Sequence, residues 1–151
     1  MDDLEALARS WFTAWAARDF DALADLYAVD AESVRSDGYS KGVDAIIGYA
    51  REIAEAFPDE TATVQTVLVS SDAAIVEWTE TATHTAPRTI EGLGTIPPTG
   101  KSFTNERVVD IFRFKDGKIV SQHEYCDLFS MLRQLGWLEL IARAAAAVHR
   151  A

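Results

Sequence analysis

The chain has 151 residues, most simply one domain that is long enough to bury a sizeable core. Its composition is 48% hydrophobic with four Trp, seven Phe and four Tyr, which excludes a disordered chain and provides aromatic residues to line a cavity. The net charge of -10 repels phosphate backbones and anionic membrane surfaces, so neither nucleic acid nor a membrane is an expected partner.

The first part of the chain is predicted to be mainly helical. The predicted elements are, in chain order, a helix ending near Arg18, a short helix opening at 19–21, a strand at 31–35 and a helix at 43–57. Apolar residues follow helical spacing in the first of these, namely Leu4, Leu7, Ala8, Trp11, Phe12 and Trp15. We expect Trp11 and Trp15 to contribute both to the core and to a pocket wall.

The second part shows only strand patterns, followed by a helical tail. Four strands are predicted at 61–69, 73–85, 103–114 and 118–125, and the long Pro/Gly-rich connection at 86–101 fits a lid over a cavity mouth. Helices first and hairpin-type strands later predict an α+β fold, in which the helices cover one concave face of a curved antiparallel sheet. The alanine-rich tail, 137–151, is predicted as an additional C-terminal helix of this single 1–151 domain.

The last strand carries the most informative side chains. With a period of two, Ile119, Ser121, His123, Tyr125 and Asp127 fall on one face, so an imidazole, a phenol and a carboxylate project together. A carboxyl group next to buried aromatic surface is suited to proton transfer. An exposed strand with ordinary polar residues is the alternative. We take Asp127 and His123 as candidate catalytic residues and Tyr125 as a candidate binding residue.

Two earlier strands offer further pocket candidates. Trp78, Glu80, Ala82 and His84 share one strand face, so Glu80 and His84 would meet Asp127 across a cavity if that face lines it. A one-residue bulge would invert this assignment, and a strand histidine more often makes a hydrogen bond to the backbone than takes part in catalysis. Asp110 is a further polar pocket candidate, with surface pairing to a neighbouring arginine as the alternative.

The element order, the segment from Gly94 to Lys101 and the run from Asp127 to Gly136 together resemble the SnoaL-like polyketide cyclase family. That family belongs to the nuclear-transport-factor-2-like superfamily of cone-shaped α+β barrels. The resemblance implies that Asp127 acts as acid/base in an intramolecular aldol ring closure without metal or organic cofactor. It implies an enzyme, a cyclase or isomerase, acting on a hydrophobic carbonyl-bearing small molecule.

Two related enzyme groups match less well. Asp110 resembles the carboxylic acid that binds the substrate oxyanion in ketosteroid isomerases, but Trp11 and Arg35 stand where that family has its tyrosine and its base aspartate. Limonene epoxide hydrolases resemble the chain at Asp127 and Glu80, but Trp78 takes the place of their arginine. Epoxide opening stays open as an alternative, as does a noncatalytic ligand- or protein-binding module on the same fold.

Location, metals and assembly are also constrained. Residues 1–5 lack the features of a signal peptide and no apolar run has membrane-spanning length, so we expect a cytoplasmic protein. Cys126 is the only cysteine and no histidine pair has metal-ligand spacing, so no metal site is expected.

A homodimer through the outer face of the sheet is expected, because apolar residues occupy alternate strand positions, namely Val67, Val69, Ile75, Val109 and Ile111.

Overall fold

The computed structural model describes residues 3–148. Its elements, in chain order, are α1 (Leu4–Ala17), α2 (Phe20–Asp25), β1 (Tyr27–Arg35), β2 (Gly38–Lys41), α3 (Val43–Ala56), β3 (Thr61–Val69), β4 (Ala73–Thr83), β5 (Arg88–Ile90), β6 (Gly94–Ile96), β7 (Ser102–Lys115), β8 (Lys118–Tyr125), α4 (Leu128–Gln134) and α5 (Trp137–Val148). The three predicted N-terminal helices, the strands at 31–35 and between 61 and 125, and the tail helix from Trp137 are present. Differences are the earlier start of β1, the added strands β2, β5 and β6, and the short helix α4. The end of the predicted tail helix, 149–151, lies outside the described residues.

The first two helices each begin at an aspartate whose side chain satisfies a free backbone N–H group. Asp3 Oδ1 accepts the Ala6 N–H over 3.0 Å at the start of α1, and Asp19 Oδ1 accepts the Ala22 N–H over 2.9 Å at the start of α2. Arg18 ends α1 in the left-handed conformation, with φ of 54°. These caps set where α1 and α2 begin and where α1 ends.

Six strands form one sheet in the order β2-β1-β8-β7-β4-β3, with only β1 and β8 parallel. Register shifts interrupt the pairings of β3 with β4, β4 with β7 and β7 with β8. Such bulges increase the local twist of a sheet and bend it. The predicted α+β class, with a curved sheet packed against N-terminal helices, is therefore confirmed.

The core forms two clusters, one towards each end of the sheet. In the first, the aromatic stripe of α1 packs on the sheet, with the Phe12 ring 5.5 Å from the Trp78 ring and the Trp11 ring 5.8 Å from the Phe112 ring. The second cluster joins the end of α3 to α4, α5 and the β5–β6 hairpin. A cavity lies between the helices and the sheet where these clusters meet.

The connection between β4 and β7 folds as a small hairpin. Gly92 and Gly94 have φ of 80° and 88°, left-handed values that let the chain reverse between β5 and β6. Ile90 and Ile96 are buried in the second cluster, and the side chain of Arg88 reaches the cavity wall. Of the segment predicted as a lid, Arg88 is the residue that lines the cavity. No helix in the described part of the chain is long and apolar enough to cross a membrane.

Strand register defines the outer face of the sheet. Direct neighbours across the strands form one row on this face, namely Leu68, Ile75, Ile111, His123 and Val34. Val109 lies on the same face, opposite Tyr125. Val67 pairs with the fully buried Val76 and therefore belongs to the inner face, as does Val69, which pairs with Ala74. Of the residues expected on the outer face, Ile75, Val109 and Ile111 lie there, and Leu68 takes the place expected for Val67 and Val69.

Candidate active site

A cavity of about 100 Å³ lies between α1, α3 and the inner face of the sheet. Aromatic side chains make up much of its wall, including those of Trp11, Trp15, Tyr49, Phe57 and Trp78. The polar side chains that reach it include those of Arg35, Asp37, Glu60, Glu80, Arg88, Gln122 and Glu124. An apolar cavity with a few convergent polar groups is the usual form of a small-molecule site.

The binding residues that the sequence predicted on α1 and β4 lie at the cavity. Trp11, Trp15, Trp78 and Glu80 all line it. Asp110 lies on the inner face but behind the cavity wall, fully buried, and its carboxylate accepts the Trp78 Nε1–H over 2.8 Å. The surface pairing of Asp110 with a neighbouring arginine, considered as an alternative, is therefore not what the structure shows.

His123 and Tyr125 lie on the outer face of the sheet, away from the cavity. His123 is the direct neighbour of Ile111 across the strands, and the side chain of Tyr125 is 56% exposed. The reason is a bulge at Val120, because Phe114 pairs with Ile119 whereas Arg113 pairs with Ser121. The bulge inverts the alternation expected from Ile119 onward, so the cavity receives the other set of side chains, namely Gln122, Glu124 and Cys126.

Asp127 caps helix α4 and does not line the cavity. Its Oδ1 accepts the Ser130 N–H over 3.0 Å, which satisfies one of the free donors at the start of the helix. The side chain borders two depressions on the surface instead. The acid/base role of Asp127 stays a prediction. The expected meeting of Asp127 with Glu80 and His84 across the cavity is not present, because Asp127 and His84 do not line the cavity.

His84 is part of the second core cluster. Its ring lies between those of Phe57 and Trp137, at centroid distances of 5.4 Å and 5.0 Å, and its Nδ1 accepts the Thr99 N–H over 3.2 Å. Burial lowers the pKa of this imidazole, which keeps it neutral. The hydrogen bond to the backbone, considered as the alternative, is thus present, and the side chain does not line the cavity.

A continuous chain of hydrogen bonds runs beneath the cavity. Trp11 Nε1 donates to the Tyr27 hydroxyl over 2.7 Å, and that hydroxyl donates to Gln122 Oε1. Gln122 Nε2 then donates to Asp110 Oδ1 over 2.8 Å, opposite the Trp78 bond to Oδ2. Each oxygen of Asp110 therefore accepts one N–H, and the orientation of every group in the chain is fixed.

Glu124 is the direct neighbour of Asp110 across β7 and β8 and lines the cavity. Burial raises the pKa of Asp110 to about 7, and burial together with the nearby Asp110 and Glu80 raises the pKa of Glu124 well above its usual value. Asp110 accepts two N–H bonds, whereas no hydrogen bond to the Glu124 side chain is present among residues 3–148. The negative charge of the pair therefore belongs on Asp110 and the proton on Glu124.

Two more carboxyl groups share the cavity. Burial raises the pKa of Glu80 to about 8 and that of Glu60 to about 7. Glu60 accepts the Trp15 Nε1–H over 3.1 Å, and Glu80 has a long contact of 3.4 Å from Asn105 Nδ2. Near neutral pH the cavity thus contains carboxyl groups that can both donate and accept a proton. Burial also raises the pKa of the Cys126 thiol to about 12, which makes it a poor nucleophile.

A cluster of charged groups forms another part of the cavity wall. Asp37 accepts hydrogen bonds from the Tyr49 hydroxyl over 2.9 Å and from Arg88 Nη2 over 2.6 Å. Arg88 Nη1 also contacts Glu52 over 2.9 Å. The Arg35 guanidinium stacks on the Tyr49 ring, 3.5 Å from its centre, and its Nε lies 3.4 Å from Asp37. This cluster joins β1, α3 and the β5–β6 hairpin.

Sequence reasoning missed several residues of this site, namely Asp37, Tyr49, Glu60, Arg88 and Glu124. The alternating residues on the other face of the last strand, Gln122, Glu124 and Cys126, were visible in the sequence. Considering that face as the cavity side would have identified Glu124. The other four residues belong to no shared sequence motif or periodic pattern, because they come from a turn, a helix face and two connections. Within residues 3–148 no group of three or more His, Cys, Asp or Glu side chains is arranged to hold a metal ion.

Comparisons with known proteins agree with this architecture. A sequence profile of the SnoaL-like domain matches residues 8–122. IdmH from Streptomyces antibioticus, named as a candidate polyketide cyclase, is 27% identical with a TM-score of 0.72, and the match covers 89% of this chain and 99% of IdmH. No curated protein sequence matches the chain.

Two further solved structures share the fold at lower identity. AclR from Streptomyces galilaeus, named as a candidate hydroxylase, is 24% identical with a TM-score of 0.74, covering 89% of this chain and 96% of AclR. A protein of ketosteroid isomerase-like fold from Catenulispora acidiphila is 20% identical with a TM-score of 0.70, covering 86% of this chain and 92% of that protein. Because the profile match spans more than half of its length, the chain belongs to the SnoaL-like domain family.

Proposed function

We propose that this protein is an acid/base enzyme that uses cavity carboxyl groups to cyclise or isomerise a hydrophobic, carbonyl-bearing small molecule. The observation that carries the proposal is the position of Glu124. Its carboxyl group faces an aromatic cavity without a hydrogen-bond partner among the described residues, directly beside the buried anion of Asp110. Membership of the SnoaL-like family and the similarity to IdmH support chemistry of the polyketide-cyclase type.

The two glutamates of the cavity fit complementary roles. An aldol closure removes a proton from the carbon beside one carbonyl and adds a proton to the oxygen of the carbonyl that is attacked. Glu80, whose pKa burial raises to about 8, accepts the carbon proton in its ionised form. Glu124, held protonated beside Asp110, gives its proton to the new alkoxide. The substrate gains and loses one proton, and proton transfer from Glu80 to Glu124 restores the starting state.

The size and lining of the cavity restrict the substrate. A cavity of about 100 Å³ encloses no more than one small ring, since an engineered dry cavity of about 150 Å³ binds benzene. Tryptophan and phenylalanine side chains around it favour an apolar ring and exclude water, which strengthens the electrostatic effect of the carboxyl groups. We therefore propose that the reacting ring enters the cavity and that a larger substrate extends through the opening.

Exchange of carbon-bound hydrogen tests the proposal without knowledge of the natural substrate. 2-Tetralone and 1-phenylbutane-1,3-dione are incubated with the protein in heavy water, and deuterium incorporation beside the carbonyl is followed by NMR. We expect exchange above the buffer rate that Glu80→Gln abolishes and Glu124→Gln reduces. Exchange at the buffer rate with both ketones, although they bind, would contradict enzymatic proton transfer and favour a noncatalytic binding module.

A further inference from the structure

Arg35 lies in the cavity wall, and its guanidinium group makes one long ion pair and leaves one N–H donor without a hydrogen bond among the described residues. Its side chain is 6% exposed, and Nη1 donates to Ser33 Oγ over 3.1 Å and to Ser40 Oγ over 3.2 Å. The buried Nε has no hydrogen-bond partner among residues 3–148. Leaving a buried cationic donor without a partner costs free energy, so such a donor at a cavity is a candidate ligand contact.

The neighbouring carboxylates do not neutralise Arg35 by close contact. Asp37 makes its short contacts with Arg88, over 2.6 Å, and with Tyr49, and it lies 3.4 Å from Arg35 Nε. Glu52 also pairs with Arg88. Arg35 therefore retains the weakest ionic contact of the cluster although it is among its most buried members.

Strand register places Arg35 beside Glu124. Ser33 and Val34 of β1 pair with Gln122 and His123 of β8, so Arg35 and Glu124 are the next residues along these two strands. Both line the cavity, and they form no ion pair. The Arg35 guanidinium and the Glu124 carboxyl group thus face the same space from adjacent strands, and an oxygen atom there would contact both.

We propose that Arg35 is a further catalytic residue, which binds the substrate carbonyl oxygen and stabilises its negative charge as it becomes an enolate or alkoxide. This rests on the proposed function. The Tyr49 ring and two serine hydroxyls fix the orientation of the guanidinium group. It therefore does not need to reorganise when negative charge develops on the substrate oxygen. The substrate class that follows is one with an acidic enol, such as a 1,3-dicarbonyl compound.

4-Nitrophenol is a suitable probe, because it mimics a planar enol and its absorbance distinguishes phenol from phenolate. The protein is titrated with the probe over a range of pH, and the ionisation of bound probe is read directly. We expect the pKa of bound 4-nitrophenol to be lower than that of the free compound by about one to three pH units, as for an acid close to a fixed cation. Bound probe that stays neutral where free probe is ionised would overturn the proposal with the native protein alone.

Variants identify the cation. Arg35→Met should remove the shift, Arg35→Lys should retain part of it, and Arg113→Met, at an exposed position on β7, should leave it unchanged. Circular dichroism establishes that each variant is folded. An unaltered shift in a folded Arg35→Met protein would overturn the assignment to Arg35.

The same variants separate this proposal from the proposed function. Loss of deuterium exchange in Glu80→Gln with an unchanged phenolate shift supports both assignments. An Arg35-dependent phenolate shift in a native protein that shows no exchange supports anion binding by Arg35 and overturns its catalytic role. Exchange that depends on Glu80 but is insensitive to Arg35→Met overturns the role of Arg35 alone.

Discussion

Asp110 and Glu124 face each other directly across β7 and β8 on the inner side of the sheet. Because the buried Asp110 lies directly opposite Glu124, the two carboxyl groups disfavour each other's ionisation, and the two N–H donors on Asp110 place the charge there. Glu124 is thereby kept as a proton donor inside the cavity. The arrangement depends on Trp78 and Gln122, neither of which can exchange a proton itself.

The first prediction compares Glu124 with Asp127. Glu124→Gln should lower turnover of an accepted substrate by about 100-fold or more, the range for loss of general acid/base catalysis. Asp127→Asn should leave turnover near normal, because asparagine also caps helices and the side chain lies outside the cavity. Steady-state kinetics of both variants decides which residue is the acid/base. A large loss of turnover only in Asp127→Asn would restore the acid/base role that the sequence assigned to Asp127.

The second prediction concerns stability and pH. Folding raises the pKa of Glu80 from 4.5 to about 8, so the folded protein binds more protons than the unfolded chain between these values. This contribution to the free energy of unfolding is fully present below about pH 4.5 and is lost as the pH rises through about 8. Thermal unfolding should show Tm falling between about pH 5 and 9. Glu80→Gln should make the fall in Tm smaller, leaving the part due to Glu60, Asp110 and Glu124, and Glu77→Gln, an exposed control on the same strand, should not change it. A native Tm that rises over this interval would contradict the buried state of Glu80.

The third prediction concerns epoxide opening. Epoxide hydrolases of this fold need a cation between two carboxylates, whereas Trp78 stands there and donates its indole N–H to Asp110 over 2.8 Å. A neutral donor does not hold two carboxyl groups at different protonation states as strongly as an arginine does. We expect no significant diol formation from limonene oxide, measured by gas chromatography. Efficient diol formation that is lost in Asp127→Asn or Glu80→Gln would reverse this conclusion.

The fourth prediction concerns the β5–β6 hairpin. Arg88 is buried and ties the hairpin to Asp37 and Glu52 over 2.6 Å and 2.9 Å. Arg88→Met should lower the free energy of unfolding by about 3 kcal/mol, since it leaves buried charge without its partner. The matched control is Lys41→Met, whose ion pair with Glu32 has both side chains about half exposed, at 56% and 44%, and which should therefore cost much less stability than Arg88→Met. Equal losses in urea unfolding would show that Arg88 does not hold the hairpin.

The fifth prediction is a homodimer through the outer face of the sheet. Leu68, Ile75, Ile111 and Val34 lie in one row there, interrupted only by His123, and Leu68 and Ile75 are exposed by 59% and 39%. Pairing two such faces would remove this surface from water. Sedimentation velocity should give a dimer at micromolar concentration, which Ile111→Glu should convert to monomer. A native protein that sediments as a monomer at all concentrations would defeat the prediction.

The sequence alone determined the elements that depend on local periodicity. The spacing of Trp11 and Trp15 predicted a helix with an aromatic face, and the alternation of Trp78 and Glu80 placed both on one face of β4, which in the structure lines the cavity. These assignments succeeded because α1 is unbroken and the bulge between β4 and β7 falls on β7. Side-chain direction follows from backbone period wherever the backbone is regular.

Only the tertiary structure decided which groups carry the chemistry. The bulge at Val120 moved His123 to the outer face and Glu124 into the cavity, and one extra residue in a strand leaves no clear signal in the residue types. Arg88 and Asp37 are 51 residues apart in sequence and meet only through the packing of the hairpin on α3. The proton on Glu124 likewise depends on burial and on Asp110 across the sheet, because the pKa of a carboxyl group is set by its surroundings in space and not by its neighbours in the chain.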